Sequence, residues 1–349
     1  CLRPAGVRYS PYLIWLLISA TLSLPKSDSI RRNPNSNETP IPSAVMNISS
    51  LSTFLPPAMT APLLSLFVII AMRFSRFALE KLSPGTDIFV AAAVIQLAVL
   101  ALPCIIYYLI KGKKLSEPMY LLSPKNTNLL FLLFAALLFV SGMLLIKYFM
   151  FVLGVASESL TNYYGEGLIS AEGESPLRII LSLIIIPAVC EELLFRGIVF
   201  TEYRRYGVTN AVVMSAICFT MLHFSVGSAP VYLFTGLLLG FVTAVSRSIF
   251  PAVALHILSN TLSVYASDAF LRVTIVKNGA YFIGFVLTVL AGVSLVLMLS
   301  RTESILYRRA AESAEDSFPP QSRGRVMQVF LSPTFLLLCI AFFLLYTFL

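Results

Sequence analysis

The sequence predicts an all-α fold, a polytopic transmembrane helical bundle of about eight to ten membrane segments. Two observations predict it. Of 349 residues, 58% are hydrophobic and only 12% charged, where a soluble domain carries about one quarter charged residues. The apolar residues also fall into repeated runs long enough to cross the hydrocarbon core of a bilayer. Net charge is +8. In this setting that charge reads as the surplus of Lys and Arg in cytoplasmic loops. No basic patch is interleaved with aromatics, so no nucleic-acid partner is expected and the lipid bilayer is. Of the five cysteines, Cys104, Cys190, Cys218 and Cys339 lie in apolar runs without paired spacing. They read as small buried hydrophobes, not as disulfides or a zinc knuckle.

Taken in order, residues 11–24 form a short apolar run behind Arg3 and Arg8, resembling a signal-anchor. The chain starts at Cys1 and not Met, which reads as a fragment or a processed product. Residues 25–52 are rich in Pro, Ser and Asn and read as a loop, whose Asn37 and Asn47 sequons are taken as chance matches. Spans are expected at 56–72, 88–110, 129–155, 177–200, 211–226, 231–245, 251–266, 281–299 and 329–349. Pro251 favours helix initiation at its first turn. Lys147 inside 129–155 is expected to snorkel or pair. Basic residues at 111–114, 204–205, 247 and 301–325 should lie in the cytoplasm, and the acidic 156–176 segment outside. Arg73, Arg76 and Lys81 do not fit that alternation.

Four divisions follow. Residues 1–86 hold N-terminal membrane segments and a polar loop, an accessory part. Residues 87–177 hold flanking helices and the acidic outside loop. Residues 178–266 are the catalytic core. Residues 267–349 hold C-terminal helices with a cytoplasmic basic loop at 301–328.

The informative residues are the polar ones inside membrane-grade segments. Such groups cost several kcal/mol unless partnered, and they default to functional roles. Cys190-Glu191-Glu192-Leu-Leu-Phe-Arg196 carries three of them. Glu192 and Arg196, four apart, share a helix face and can pair as structural support. Glu191 points about 100° away and is free for other work. Pro187 removes a backbone bond to Leu183, so a kink or local opening is expected. Phe219 precedes His223 by four, and His256 precedes Asn260 by four. Phe219 reads as packing. Counting from the flanking basic residues, Glu191, His223 and Asn260 each lie roughly 20–24 Å along their helices, and His256 one turn shallower. The four side chains can therefore meet at one depth.

A Glu, two His and an Asn in one membrane cavity suit hydrolysis. Glu191 can act as general base on water with His223, while His256 and Asn260 donate to a developing oxyanion. Alternatively Glu191, His223 and His256 can hold zinc as a His₂Glu set, although no His-Glu-x-x-His helix is present. Non-enzymatic immunity or scaffold roles and an ion path remain as alternatives. The ion path is disfavoured by the lack of inverted repeats.

At these residues the chain resembles the CAAX protease and bacteriocin-processing family, also called the abortive-infection family, which is related to the Ras-converting CAAX endopeptidase. The matching motifs are Glu191-Glu192-x-x-x-Arg196, Phe219-x-x-x-His223 and His256-x-x-x-Asn260, with Arg196-Gly197 and Pro251-Ala252 beside them. The resemblance spans about residues 178–266. It implies an intramembrane glutamate-type endopeptidase opening to the cytoplasm from a cell membrane. It also implies water activation by Glu191 and His223 and an oxyanion hole at His256 and Asn260. The implied substrate is a membrane-associated protein tail or peptide, whether prenylated or not. No cofactor is required by the resemblance, and zinc remains a possibility.

Overall fold

A computed structural model describes residues 57–80, 87–111, 128–154, 175–265, 277–312 and 323–348. Among them the secondary structure is helical throughout. The expected signal-anchor at 11–24, the polar loop 25–52 with its sequons, Lys113, Lys114 and most of the acidic 156–176 segment lie outside the described residues.

The helices are α1 (Pro57–Glu80), α2, α3 (Leu129–Val152), α4, α5 (Val208–Leu222), α6 (Ala229–Ser246), α7 (Phe250–Tyr265), α8 (Lys277–Glu312), α9 (Arg323–Phe330) and α10 (Pro333–Phe348). Helix α2 runs from Ile88–Gln96 through a π-turn at Leu97–Ala101 into Leu102–Lys111. Helix α4 runs without a break through Pro176–Ile179, Ile180–Ile185, Ile186–Glu192, Leu193–Val199 and Phe200–Arg204.

Among the described residues, four helices are long and apolar enough to cross a membrane: Ile88–Leu109, Leu129–Val152, Ala229–Ser246 and Tyr281–Arg308. A fifth arises if α9 and α10, bent by 41°, count as one span. Two shorter apolar helices, Met59–Ser75 and Val208–Leu222, add to these, in keeping with the expected all-α membrane bundle. Helix α4 carries Glu191, Glu192 and Arg196, and α5 and α7 are short at 15 and 16 residues. The latter bury polar faces within the bundle. The chain is an integral membrane protein.

The expected polar loop at 301–328 is corrected in its described parts. Helix α8 continues to Glu312, and Arg323 already opens α9. Arg, Glu and Ala are strong helix formers. Thr302 and Ile305 are buried while Arg301 and Arg308 face outward, so the extension is amphipathic and not a loop. Lys147 is buried on α3.

Two apolar cores build the bundle. One joins α1, α2, α4, α5 and α10 around Phe195, Tyr203, Cys218 and Leu338. The other joins α3, α6, α7 and α8 around Phe139, Leu239, Ala252 and Met298. Helices α5 and α6 form the seam between them. There Gly236 and Gly240 let the backbones approach: a Cβ on Gly236 would lie 2.8 Å from Ala216 Cα, and one on Gly240 3.3 Å from Val212 Cγ1. This is the small-xxx-small device of membrane helix pairs. The polar residues of α4, α5 and α7 meet against this seam.

Candidate active site

Helix α4 is built to present Glu191. The expected opening at Pro187 takes the form of π-helical winding and not a break. A π segment at Ile180–Ile185 precedes the proline, and a second at Leu193–Val199 follows the two glutamates. Single π-turns cluster at functional sites. The wider winding displaces carbonyls from the regular ladder, and side chains from other helices take two of them. Ser215 of α5 donates to the Phe195 carbonyl at 2.9 Å. Asn260 of α7 donates to the Ile184 carbonyl at 3.3 Å.

Glu192 and Arg196 pair as expected, at 2.6 Å with neither side chain exposed. Arg196 also donates to the Gly236 carbonyl at 3.1 Å. Its guanidinium lies 4.8 Å from the centre of the Phe219 ring. The charge is thus met by a carboxylate, a carbonyl and a π-face, which suits the planar fork of Arg. Glu192 has a second task that spacing alone did not reveal. Its Oε1 lies 2.8 Å from His256 Nδ1. Facing a carboxylate, Nδ1 carries the hydrogen, and Nε2 is left for the site.

His223 is oriented by a different device. Helix α5 was expected to continue to residue 226, but it ends at Leu222. Phe224 adopts φ +46°, and the His223 amide turns back to the Thr220 carbonyl at 3.2 Å. The Phe219 carbonyl, which would have taken that amide in a continuing helix, instead lies 2.9 Å from His223 Nδ1. A carbonyl only accepts, so Nδ1 donates and Nε2 again faces the site. Tyr232 of α6 stacks on the His223 ring at 3.8 Å and 23°. Phe219 is more than filler: its ring touches those of His223 and His256 at 4.8 and 5.6 Å.

The two Nε2 atoms converge on one oxygen. Glu191 Oε2 lies 3.7 Å from His256 Nε2 and 4.0 Å from His223 Nε2. It is buried with no hydrogen-bond partner. Both separations exceed a direct hydrogen bond, which needs about 2.7–3.2 Å. They are spaced for an atom held between them. Asn260, half-buried one turn beyond His256, is held against α4 by its bond to the Ile184 carbonyl. Glu191, His223 and His256 are brought together at their side-chain tips. Tyr232 was missed; an aromatic in an apolar run has no signal in a single sequence.

The zinc alternative fits less well. Donors at about 2.0–2.2 Å around a tetrahedral zinc stand about 3.3–3.5 Å apart. The 3.7 and 4.0 Å separations are wider. Among the described residues no group of three or more His, Cys, Asp and Glu is arranged to hold a metal.

Fold and site together define a class: a helical membrane protein whose buried glutamate is faced by two histidines from neighbouring helices. Residues 173–262 match the family described as Rce1-like, type II CAAX prenyl endopeptidase Rce1-like. This segment, which spans α4 to α7, is what the chain shares with the CAAX prenyl endopeptidases. Comparisons with curated proteins and with solved structures found no match.

Proposed function

We propose that the protein is an intramembrane endopeptidase that hydrolyses a peptide bond without a covalent intermediate. The observation that carries this reading is the convergence of two oriented imidazole nitrogens on the unpartnered Oε2 of Glu191. Water held between Glu191 and His223 gives a proton to the Glu191 carboxylate as its oxygen attacks the scissile carbonyl. Negative charge then develops on the carbonyl oxygen. In this step His256 is protonated on both ring nitrogens, with Nδ1–H held by Glu192, and its Nε2–H and the second N–H of Asn260 donate to that oxygen. Such donors are often the largest single catalytic contribution. Glu191 returns its proton to the departing amine, and the new carboxylate leaves.

The substrate is a membrane-associated protein tail or peptide, because the site is enclosed by apolar helices. Similarity to CAAX prenyl endopeptidases makes a prenylated tail the first candidate. Glu192 and Arg196 act through His256 and α4 and do not contact substrate. Cytoplasmic access and a cell-membrane location belong to the same proposal and rest on the family resemblance.

The test compares membrane peptides in cells carrying wild type and Glu191→Gln at matched protein levels. Uncleaved precursors should accumulate only in the variant. Identical peptide profiles would contradict the proposal and favour a scaffold role.

A further inference from the structure

Arg73 broke the expected alternation of basic residues, and its position in the structure accounts for it. Helix α1 starts level with the Arg204 end of α4: Thr60 stands beside Tyr107, and Tyr107 donates to Glu202 at 2.7 Å. Thirteen residues separate Thr60 from Arg73, about 20 Å at the helical rise. Eleven separate Glu202 from Glu191, about 17 Å by the same measure. Arg73 is therefore not a boundary residue. It lies at nearly the depth of the site.

Its surroundings are unusual for an intramembrane guanidinium. Arg73 sits 5.4 Å over the ring of Phe224, the residue that follows His223. Phe342 of α10 stacks on the same ring at 5.3 Å. No hydrogen bond or ion pair joins Arg73 to the described residues, and its Nε is buried without a partner. Arg196, by contrast, is matched by Glu192. A charge at this depth is costly without a counter-charge, and the described residues supply none. Phe224 holds a strained positive φ, so the side chain under Arg73 is fixed by backbone geometry.

We infer that Arg73 binds an anionic group brought by the substrate, the terminal carboxylate of the peptide tail beyond the cleaved bond. This rests on the peptidase reading. Guanidinium binds carboxylate in a bidentate fork, which sets orientation as well as affinity. Arg73 lies over Phe224, the chain neighbour of His223, and His223 Nε2 is 4.0 Å from Glu191 Oε2, so a tail that leaves the site past His223 meets Arg73. Phosphate on a lipid headgroup shares the chemistry and is the competing source. The assignment also gives α1, outside the family match, a place in the site.

The test reads binding in the Glu191→Gln background, so turnover does not intervene. The probe is a fluorescent peptide ending in S-farnesyl-cysteine and three aliphatic residues, made as free carboxylate and as amide. Protein is held in nanodiscs of phosphatidylcholine alone or with phosphatidylglycerol. The carboxylate peptide should bind about tenfold more tightly than the amide. Adding Arg73→Gln should bring the ratio within about twofold, and Arg73→Lys should fall between. Equal binding of both peptides, or a preference that survives Arg73→Gln, would overturn the inference. Equal binding of both peptides together with Arg73-dependent retention of phosphatidylglycerol would reassign the anion to lipid. Carboxylate-selective binding with no cleavage by wild type would sink the peptidase reading and leave Arg73 standing.

Discussion

Glu192 Oε1 is shared between two partners, His256 Nδ1 at 2.8 Å and Arg196 Nη1 at 2.6 Å. One oxygen therefore ties the structural pair of α4 to the orientation of a site histidine on α7. Glu192→Gln should weaken both links. It leaves a fully buried Arg196 without its carboxylate, a change that costs about 3–5 kcal/mol in comparable buried pairs. Denaturation of the purified variant should show this loss. Replacing both residues, Glu192→Gln with Arg196→Met, should recover much of the stability while activity stays low, because His256 still lacks its anchor. Recovery of activity along with stability would limit Glu192 to a structural role.

The α5–α6 seam gives a graded prediction. Gly236→Ala puts a methyl 2.8 Å from the Ala216 backbone, where nothing flexible can yield. Overpacking of this kind costs about 1–3 kcal/mol. It also shifts the carbonyl that receives Arg196. Gly240→Ala meets Val212 Cγ1 at 3.3 Å, and a small side-chain adjustment relieves it. Thermal stability in detergent should fall clearly for the first and little for the second.

Tyr232 should act on His223 through its ring face. Tyr232→Phe keeps the stack and should retain most activity. Tyr232→Ala removes it and should lower kcat about tenfold or more, the scale of losing part of a general-base contribution. Equal activity of the two variants would contradict a positioning role.

Metal removal distinguishes the two readings of the site. The donor separations at Glu191 predict that dialysis against a zinc chelator leaves peptide cleavage unchanged. Loss of activity on chelation, restored by zinc, would mean that the three side chains close on a metal during turnover.

Much of the site was legible because membrane burial makes polar residues rare. In a chain with two histidines, spacing by four and matched depth singled out Glu191, His223, His256 and Asn260, and the structure brings the first three together. The Glu192–Arg196 pair followed from helical geometry alone. The orienting contacts were less visible. The Glu192–His256 bond joins residues 64 positions apart, and the freeing of the Phe219 carbonyl depends on where α5 ends. That end is set by a positive φ at a phenylalanine, which no turn residue announces. The 301–328 segment misled because charge was read as loop, although the same residues favour an amphipathic helix. Arg73 was visible as an anomaly before its cause was.

Hydrolysis of a defined peptide by purified protein tests the central claim most directly. Wild type and Glu191→Gln, matched for monodispersity and thermal stability, are given the farnesylated peptide, and product is quantified by mass. The account predicts cleavage by wild type and at least a thousandfold lower rate in the variant, on the order of 4 kcal/mol of lost transition-state stabilisation. Cleavage by the folded variant at the wild-type rate would contradict it.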